Sequence, residues 1–431
     1  MTNASTAHDG ATRRLIIVGS TGSIGCQAVE VVEHLNALAK ERDEPAPFRV
    51  VGLAARASGA QLLEQADRLG VCAVALAEPD DDVRRAAAEQ GLTLYEGPEA
   101  AAQLVEETEA DLVLNACVGA AGLGPTLAAL DRGVDVAIAN KESLVTAGQL
   151  VVEAALRSGA ALLPVDSEHS GVWQLLPGRP TPPIARLDES IVRVTLTASG
   201  GPFRTWPRER IAAASPDEAL KHPTWSMGAK VTIDSASLTN KGLELIEAHW
   251  LFGVEADRLA AVVHPQSIVH AVVEFADGSI AAQLGAPDMR CPIQIAISHP
   301  RIEQGAGRRV DLAQLGELTF EPPDVERFPA IETAMRVIEM GGCAGAVFNA
   351  ANEAAVEAFL QRKIPFGRIP SLAKEALDAL LGSGPQSALR SLDEALEADA
   401  QARRFVEQAV ERPATATPRV AEARSRAARA S

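Results

Sequence analysis

The sequence predicts an α/β chain in three parts. Three observations predict it. Short β-branched runs alternate with helical stretches over residues 14–145, strands of a mixed or antiparallel sheet follow between about 190 and 300, and only helical patterns remain after a Pro-rich stretch at 319–330. Strands alternating with helices make βαβ units, and these build a parallel sheet. A chain of 431 residues is also too long for one compact core. The expected division is a disordered N-terminus at 1–13, a first domain at 14–160 and a second at 161–318 with a lid near 220–229. A linker at 319–330, a helical domain at 331–412 and a disordered tail at 413–431 complete it.

In order, RLIIVG reads as a strand and CQAVEVVEHLNALAK as a helix. FRVVGLAA is a strand followed by an Ala-rich helical stretch, and CAVALA, DLVLNA and DVAIAN are further strands. IVRVTLTAS, LAAVVHP and IVHAVVEFADGSIAAQL read as strands of the second sheet, the last a hairpin turning at Asp277-Gly278. AIETAMRVIEMGG, AGAVFNAANEAAVEAFLQ, SLAKEALDALLG and LDEALEADAQARRFVEQAV are amphipathic and predict a small helical bundle.

Composition narrows the function. Hydrophobic content of 47% with 23% charged residues is that of a soluble globular protein. A net charge of −17 argues against nucleic-acid binding, which needs a basic surface, so an anionic ligand must be caught by a local basic pocket. The five cysteines are scattered without a CxxC, which suits a reducing cytoplasm and indicates neither a zinc cluster nor a disulfide framework. The first residues carry no apolar signal core, and the most apolar window, Leu112 to Leu130, is interrupted by Asn115, Pro125 and Thr126, so no membrane span is expected. The tail from Pro413 is Ala/Arg-rich without apolar periodicity.

RLIIVGSTGSIGCQAVEVV places Gly19, Gly22 and Gly25 between a strand and a helix. This GxxGxxG is a variant of the dinucleotide fingerprint: glycine allows a tight turn and close backbone approach, and the helix N-terminus attracts a pyrophosphate. The first part is therefore expected to be Rossmann-like. The second strand ends in GLAARAS, with Arg56 and Ser58 where an NAD site would present an acid, so NADPH is the preferred cofactor. The charged segment 40–47 accounts for the long interval before that strand.

VDSEHS, at 165–170, reads as the end of a strand, which would put Asp166 and Glu168 on one face. Two such carboxylates repel unless a cation lies between them, and hard oxygen ligands select Mg²⁺ or Mn²⁺. The third ligand is sought in DSASLTNKGLELIEAHWLF, where Asn240 resembles an N-cap and Glu244 follows one turn later. Asn240 and Lys241 are then roughly 5–6 Å from Glu244, so one helix start could hold a phosphate and a metal ligand together. Glu247 is the rival ligand and is otherwise a surface neighbour. TASGGPF offers Ser199. HPTWSMG combines His222, Trp225 and Met227 before Gly228 and reads as a water-excluding lid, with a core aromatic as the alternative for Trp225. Lys141 and Glu142 follow a strand end, where doubly wound sheets bind ligands. His270 is a lone strand histidine, a type that is more often structural.

Taken together, GSTGSIG, NKESLV, LLPVDSEHS, TASGGPF, HPTWSMG, KVTIDSASLTNKGLELIEAHWLF, HPQSIVH, LGAPDMR and FNAANEAAVEAF resemble the 1-deoxy-D-xylulose 5-phosphate reductoisomerase family, in family order from about residue 14 to 405. The resemblance implies NADPH- and metal-dependent rearrangement and reduction of 1-deoxy-D-xylulose 5-phosphate to 2-C-methyl-D-erythritol 4-phosphate, in isoprenoid precursor synthesis. It implies that Asp166, Glu168 and Glu244 hold Mg²⁺ or Mn²⁺, with Co²⁺ a further candidate. Ser199, Ser235, Asn240 and Lys241 would hold the substrate phosphate, and Ser167 and Lys141 would contact its oxygenated carbons. Glu168, His222, Trp225 and Glu244 would also touch substrate, with Lys141, Glu168, His222 and His270 as the catalytic set. Cofactor contacts would come from Gly19, Thr21, Gly22, Ser23, Ile24, Gly25, Arg56, Ser58, Asn140, Glu142, Gly228 and Met289. A homodimer is implied as well. The insert at 40–47, the GLAARAS stretch at the 2′-phosphate position and the tail after about 412 depart from the family pattern. The rival readings are a Rossmann oxidoreductase without rearrangement, which needs no paired carboxylates, and a nucleotide-sensing regulator, which should have lost them.

Overall fold

Leu15, Ile16, Ile17 and Val18 are fully buried, which places the first strand at the centre of a sheet covered on both faces. The computed structural model describes residues 12–225 and 227–412. The expectations of disorder at the N-terminus and in the tail therefore fall, for residues 1–11 and 413–431, outside the described residues.

The first sheet runs β1 (Arg13–Val18), α1 (Ser23–Glu41), β2 (Phe48–Ala55), α2 (Gly59–Leu69), β3 (Ala73–Leu76), α3 (Asp81–Glu89), β4 (Thr93–Glu96) and α4 (Ala100–Glu107). It continues with β5 (Leu112–Asn115), α5 (Leu123–Asp131), β6 (Asp135–Ile138), α6 (Lys141–Ser158) and β7 (Leu162–Pro164). All pairings are parallel, in the order β4-β3-β2-β1-β5-β6-β7. The order reverses between β1 and β5, the switch point at which such sheets open a crevice beyond their strand ends.

Next come α7 (Ser167–Leu175), β8 (Ile191–Ala198), α8 (Arg208–Ala212), α9 (Pro216–Ala219), α10 (Ala229–Ala236), α11 (Thr239–Phe252), β9 (Leu259–Val263), β10 (Val269–Phe275), β11 (Ile280–Leu284), α12 (Arg290–Ser298) and α13 (Leu312–Leu315). The four strands form a mixed sheet, β11-β10-β8-β9, with β10 antiparallel to both neighbours and β8 parallel to β9. Gly278 takes a left-handed φ of 83° in the β10–β11 turn. In the Pro-rich stretch after α13, Glu321 exchanges backbone hydrogen bonds of 2.9 Å with Val263, which ties that segment to β9.

The helices α14 (Ala330–Met340), α15 (Ala344–Leu360), α16 (Arg368–Leu381) and α17 (Leu392–Glu411) close the chain. α14 packs on α11, and α15 packs on α6 and α10. Gly345 of α15 lies so close to the Val145 carbonyl of α6 that any side chain there would collide with it.

Two local expectations are corrected. The strand stops at Pro164, and Asp166 and Glu168 belong to the start of α7, Asp166 at its N-cap and Glu168 in its first turn. They converge because a helix start winds them together, not because a strand alternates. Asn240 is not an N-cap either: α11 starts at Thr239 after Leu238, whose φ is +59°, so Asn240 lies within the first turn. The short β4, Thr93–Glu96, had no recognisable alternation and was not expected.

Candidate active site

A cleft of about 750 Å³ opens beyond the carboxyl ends of β1, β5, β6 and β7. Gly22, Ala116, Ala139 and Asp166, each just past one of these strands, line it on one side, while α10, α11 and residues His222, Thr224, Trp225, Met227 and Gly228 line it on the other. A larger open groove, about 1560 Å³, lies at the opposite end of the parallel sheet, far from the carboxylates, with acids and arginines mixed.

Asp166, Glu168 and Glu244 each bring a carboxylate oxygen to within 4.8 Å of the others. Two buried ammonium groups stand among them. Lys141 Nζ donates to Asp166 Oδ2 at 2.6 Å, to Asn240 Oδ1 at 2.9 Å and to Glu244 Oε1 at 3.2 Å. Lys241 Nζ donates to Glu168 Oε1 at 2.8 Å and also to Glu244 Oε2. Ser167 Oγ donates to Glu168 Oε2 at 2.5 Å. Burial pushes the Asp166 carboxyl up, but the Lys141 ammonium and its hydrogen bond outweigh this and hold it below the usual carboxylate range. Burial also works against the charge on Lys141, and Asp166 with Glu244 more than restores it. Glu244 shifts the other way: burial and the neighbouring Glu168 raise it.

Glu247 is buried rather than on the surface, its Oε2 lying 3.5 Å from His169 Nδ1. His169 Nε2 faces the Glu244 carbonyl oxygen at 2.8 Å. Asp166, His169 and Glu247 thus form a second set of nearby donor atoms. Burial pushes Glu247 well up and His169 down, which favours a neutral pair there.

Across the cleft, His222 Nδ1 accepts from the backbone N–H of Thr224 at 3.1 Å and of Trp225 at 2.8 Å. Nε2 therefore carries the proton of the neutral ring. It lies 3.0 Å from Ser199 Oγ and 3.1 Å from Ser235 Oγ. Burial lowers the His222 pKa, in keeping with a neutral donor. Gly201, at a φ of 64°, lets the end of β8 approach α10: a Cβ there would sit 2.6 Å from the Ser235 carbonyl oxygen. The phosphate candidates thus fall in two groups, Ser199 and Ser235 around His222, and Asn240 and Lys241 among the carboxylates. His270 Nε2 faces the Gly285 carbonyl oxygen at 3.2 Å, its ring edge-on to Trp225 with centroids 6.5 Å apart. Trp225 is half-buried and lines the cleft, so it is not a core aromatic.

At the nucleotide end, Gly22, Ser23, Ile24, Gly228 and Met289 line the cleft. Gly19 has a φ of +82°, and a Cβ on it would come within 2.6 Å of the Ala116 carbonyl oxygen. Gly25 packs on the backbone of Gly19 and Ser20, and Thr21 sits half-buried in the turn between them. Arg56 and Ser58 are exposed beyond β2, and Arg56 Nε donates to Glu78 Oε1 at 2.9 Å. Asn140 and Glu142 lie buried behind the cleft wall. Asn140 caps α6 by accepting from Ser143 N at 3.1 Å, and its Nδ2 donates to Glu142 Oε2 at 3.0 Å.

The cleft also contains residues that sequence reasoning missed. Asp288 and Arg290, paired at 2.7 Å, belong to the quoted LGAPDMR stretch but had no assigned role. Arg308 comes from a stretch without periodicity, which gave no signal.

A strand-helix-strand nucleotide crevice joined to a lysine-buffered carboxylate cluster defines a dinucleotide-linked, metal-dependent oxidoreductase. Family models described as 1-deoxy-D-xylulose 5-phosphate reductoisomerase, its C-terminal domain, and DXP reductoisomerase C-terminal domain match residues 15–148, 162–252 and 284–405. The 1-deoxy-D-xylulose 5-phosphate reductoisomerase of Rhodospirillum centenum is 47% identical over 94% of this chain and 96% of its own, and that of Prosthecochloris aestuarii is 46% identical over 91% and 98%. Among solved structures, the reductoisomerase of Zymomonas mobilis in complex with NADPH superposes with a TM-score of 0.81 at 37% identity, covering 93% of this chain and 99% of that one. A reductoisomerase in complex with NADPH, fosmidomycin and magnesium gives 0.83 at 34% identity, covering 92% and 98%. The chain belongs to the 1-deoxy-D-xylulose 5-phosphate reductoisomerase family.

Proposed function

We propose that this chain converts 1-deoxy-D-xylulose 5-phosphate to 2-C-methyl-D-erythritol 4-phosphate, using NADPH and Mg²⁺ or Mn²⁺. The observation that carries the reading is the convergence of Asp166, Glu168 and Glu244 at the mouth of a dinucleotide crevice. The donor set fits the metal: three carboxylate oxygens from the start of α7 and the second turn of α11, all hard ligands, with one carboxylate more than the ammonium groups balance. The crevice fits the cofactor: the Gly19 and Gly25 positions admit no side chain, and the α1 N-terminus opens beside Gly22.

Asp166, Glu168 and Glu244 would hold the cation, which would supply Lewis-acid polarisation of the substrate, and NADPH would supply the hydride. Lys141, fixed between Asp166 and Asn240, orients the oxygenated carbons together with Ser167. The His222 Nε2–H and the Ser199 and Ser235 hydroxyls form a neutral donor cluster for the phosphate, to which Asn240 and Lys241 add an amide and a charge. Binding at this remote group helps close the 222–228 segment, and Trp225 and His270 then exclude water from the reacting carbons. Arg56, exposed beyond β2, is the candidate partner of the 2′-phosphate.

The division into domains at 14–160, 161–318 and 331–412, with the lid near 220–229, is part of this reading. So is a homodimer, for which β11 offers an unpaired edge bearing exposed Ile280 and Leu284. Five free cysteines favour the cytoplasm, and no helix among the described residues is long and apolar enough to cross a membrane.

The test is to mix the purified chain with the ketose phosphate, NADPH and Mn²⁺ and follow reduced-nicotinamide absorbance with and without EDTA. Chelator-sensitive oxidation is expected. No oxidation, with NADPH binding confirmed, would remove the reaction and the metal roles together.

A further inference from the structure

Lys230 has no role in the site described above, yet its ammonium lies where three parts of the molecule meet. Nζ donates to Glu142 Oε1 at 3.0 Å and pairs with Asp234 Oδ2 at 2.9 Å. Asp234 Oδ1 accepts from Asn352 Nδ2 at 2.8 Å. Glu142 belongs to α6 of the nucleotide region, Lys230 and Asp234 to α10, and Asn352 to α15 of the helical region. All four are buried or nearly so: the Lys230, Glu142 and Asp234 side chains are 17%, 5% and 1% exposed, and Asn352 is 0% exposed.

The positions of these residues in the chain give the cluster its meaning. Glu142 follows Lys141, and Asp234 precedes Ser235. Consecutive residues on a helix point about 100° apart, so anchoring one behind the wall aims the other into the cleft. Holding Glu142 orients Lys141 toward Asp166, and holding Asp234 orients Ser235 toward His222. Lys230 itself lies two residues past Gly228, where the 222–228 segment runs into α10. One ammonium therefore ties the base of the lid to the residue beside Lys141, and Asn352 fixes the far side.

We propose that Lys230 is a positioning residue, coupling the lid to the Lys141 ammonium through Glu142 and to the phosphate donor Ser235 through Asp234. The proposal rests on the reaction assigned above, and the wild-type assay tests that assignment separately. A buried ion cluster with only a structural role would make activity follow stability. A positioning role makes kcat fall in molecules that remain folded.

Two full-length variants separate these roles. Lys230→Met combined with Asp234→Asn removes one charge of each sign, leaves Glu142 bonded to Asn140 and preserves an amide partner for Asn352. Lys230→Arg keeps the charge and the burial but replaces a point donor with a longer planar one. Melting temperature, kcat and the KM values for ketose phosphate and NADPH are measured for both. The expected result is kcat at least about tenfold lower in Lys230→Arg, with melting temperature within a few degrees of the parent and both KM values within about threefold; a folded double variant should lose about as much or more. Lys230→Arg with native stability and a kcat within twofold of the parent would overturn the proposal, even if the double variant failed to fold. So would a folded double variant with parental kcat.

Discussion

Lys241 Nζ bridges two carboxylates, donating to Glu168 Oε1 at 2.8 Å and to Glu244 Oε2 on its own helix. The acid from α7 and the acid from α11 are thus held in one site by a cation that the chain itself supplies. This relationship places Glu244, one turn beyond Lys241, at the centre of the cluster, and it motivates the first prediction.

Glu244→Gln should lower turnover at least about 100-fold while leaving NADPH affinity within about threefold, because a neutral amide is a poor ligand for a hard cation and Glu244 bonds to Lys141, Asn240 and Lys241 rather than to the glycine-rich turn. Titration of NADPH fluorescence alongside the rate assay measures both. Near-normal turnover with unchanged Mn²⁺ dependence would remove Glu244 from the ligand set.

Stability should depend on pH through His270. Burial holds its pKa down to about 4, whereas an exposed imidazole titrates near about 6.5. Between those values the unfolded chain binds a proton that the folded chain does not, so stability falls as the pH drops from about 6.5 to about 4 and changes no further below that. The His270 share of the loss between pH 7 and pH 5 is about 2 kcal/mol. Urea unfolding at the two pH values, with and without His270→Asn, reads it; an equal pH loss in the variant would contradict the assignment.

Gly345→Ala should destabilise the chain by about 2–3 kcal/mol. Helix propensity alone predicts a gain of roughly 1 kcal/mol for this change. Packing wins because the new methyl would meet the Val145 carbonyl, a backbone atom of α6 that cannot rotate aside. A melting temperature at or above the parent's would show that α6 and α15 can separate at no cost.

Arg56→Ala should narrow the preference for NADPH over NADH by about tenfold or more, the worth of a charge-assisted phosphate contact. Arg56 is 83% exposed and its pair with Glu78 is open to water. Such pairs contribute under about 1 kcal/mol, so a phosphate can displace Glu78 readily. The ratio of kcat/KM for the two cofactors decides; an unchanged ratio places the 2′-phosphate elsewhere.

The glycine-rich turn, the parallel sheet, the mixed sheet with its Asp277-Gly278 turn and the closing helices were all legible along the chain, because each depends on local periodicity and on residues with unusual backbone freedom. The three carboxylates were legible as candidates because acids in an apolar run demand a partner. Their local geometry was not. Asp166 and Glu168 read as strand residues because VDSEHS follows an apolar run, whereas a helix starts there once α7 can pack on β10 and β11. Glu247 read either as a rival ligand or as a surface acid, because helical spacing cannot show what covers a helix on its far side.

By itself, the sequence marked out the candidate residues: a nucleotide turn, a set of hard oxygen ligands, two lysines and a histidine with its serines. Only the tertiary structure decided which of them meet. Lys141 reaches Asp166 across 25 positions and Glu244 across 103, while Asn352 reaches Asp234 across 118. Such pairings are set by the packing of α6, α10, α11 and α15 against one another. The physical reason is that a buried charge is tolerable only beside its counter-charge, and folding alone brings residues so distant in sequence within hydrogen-bond distance.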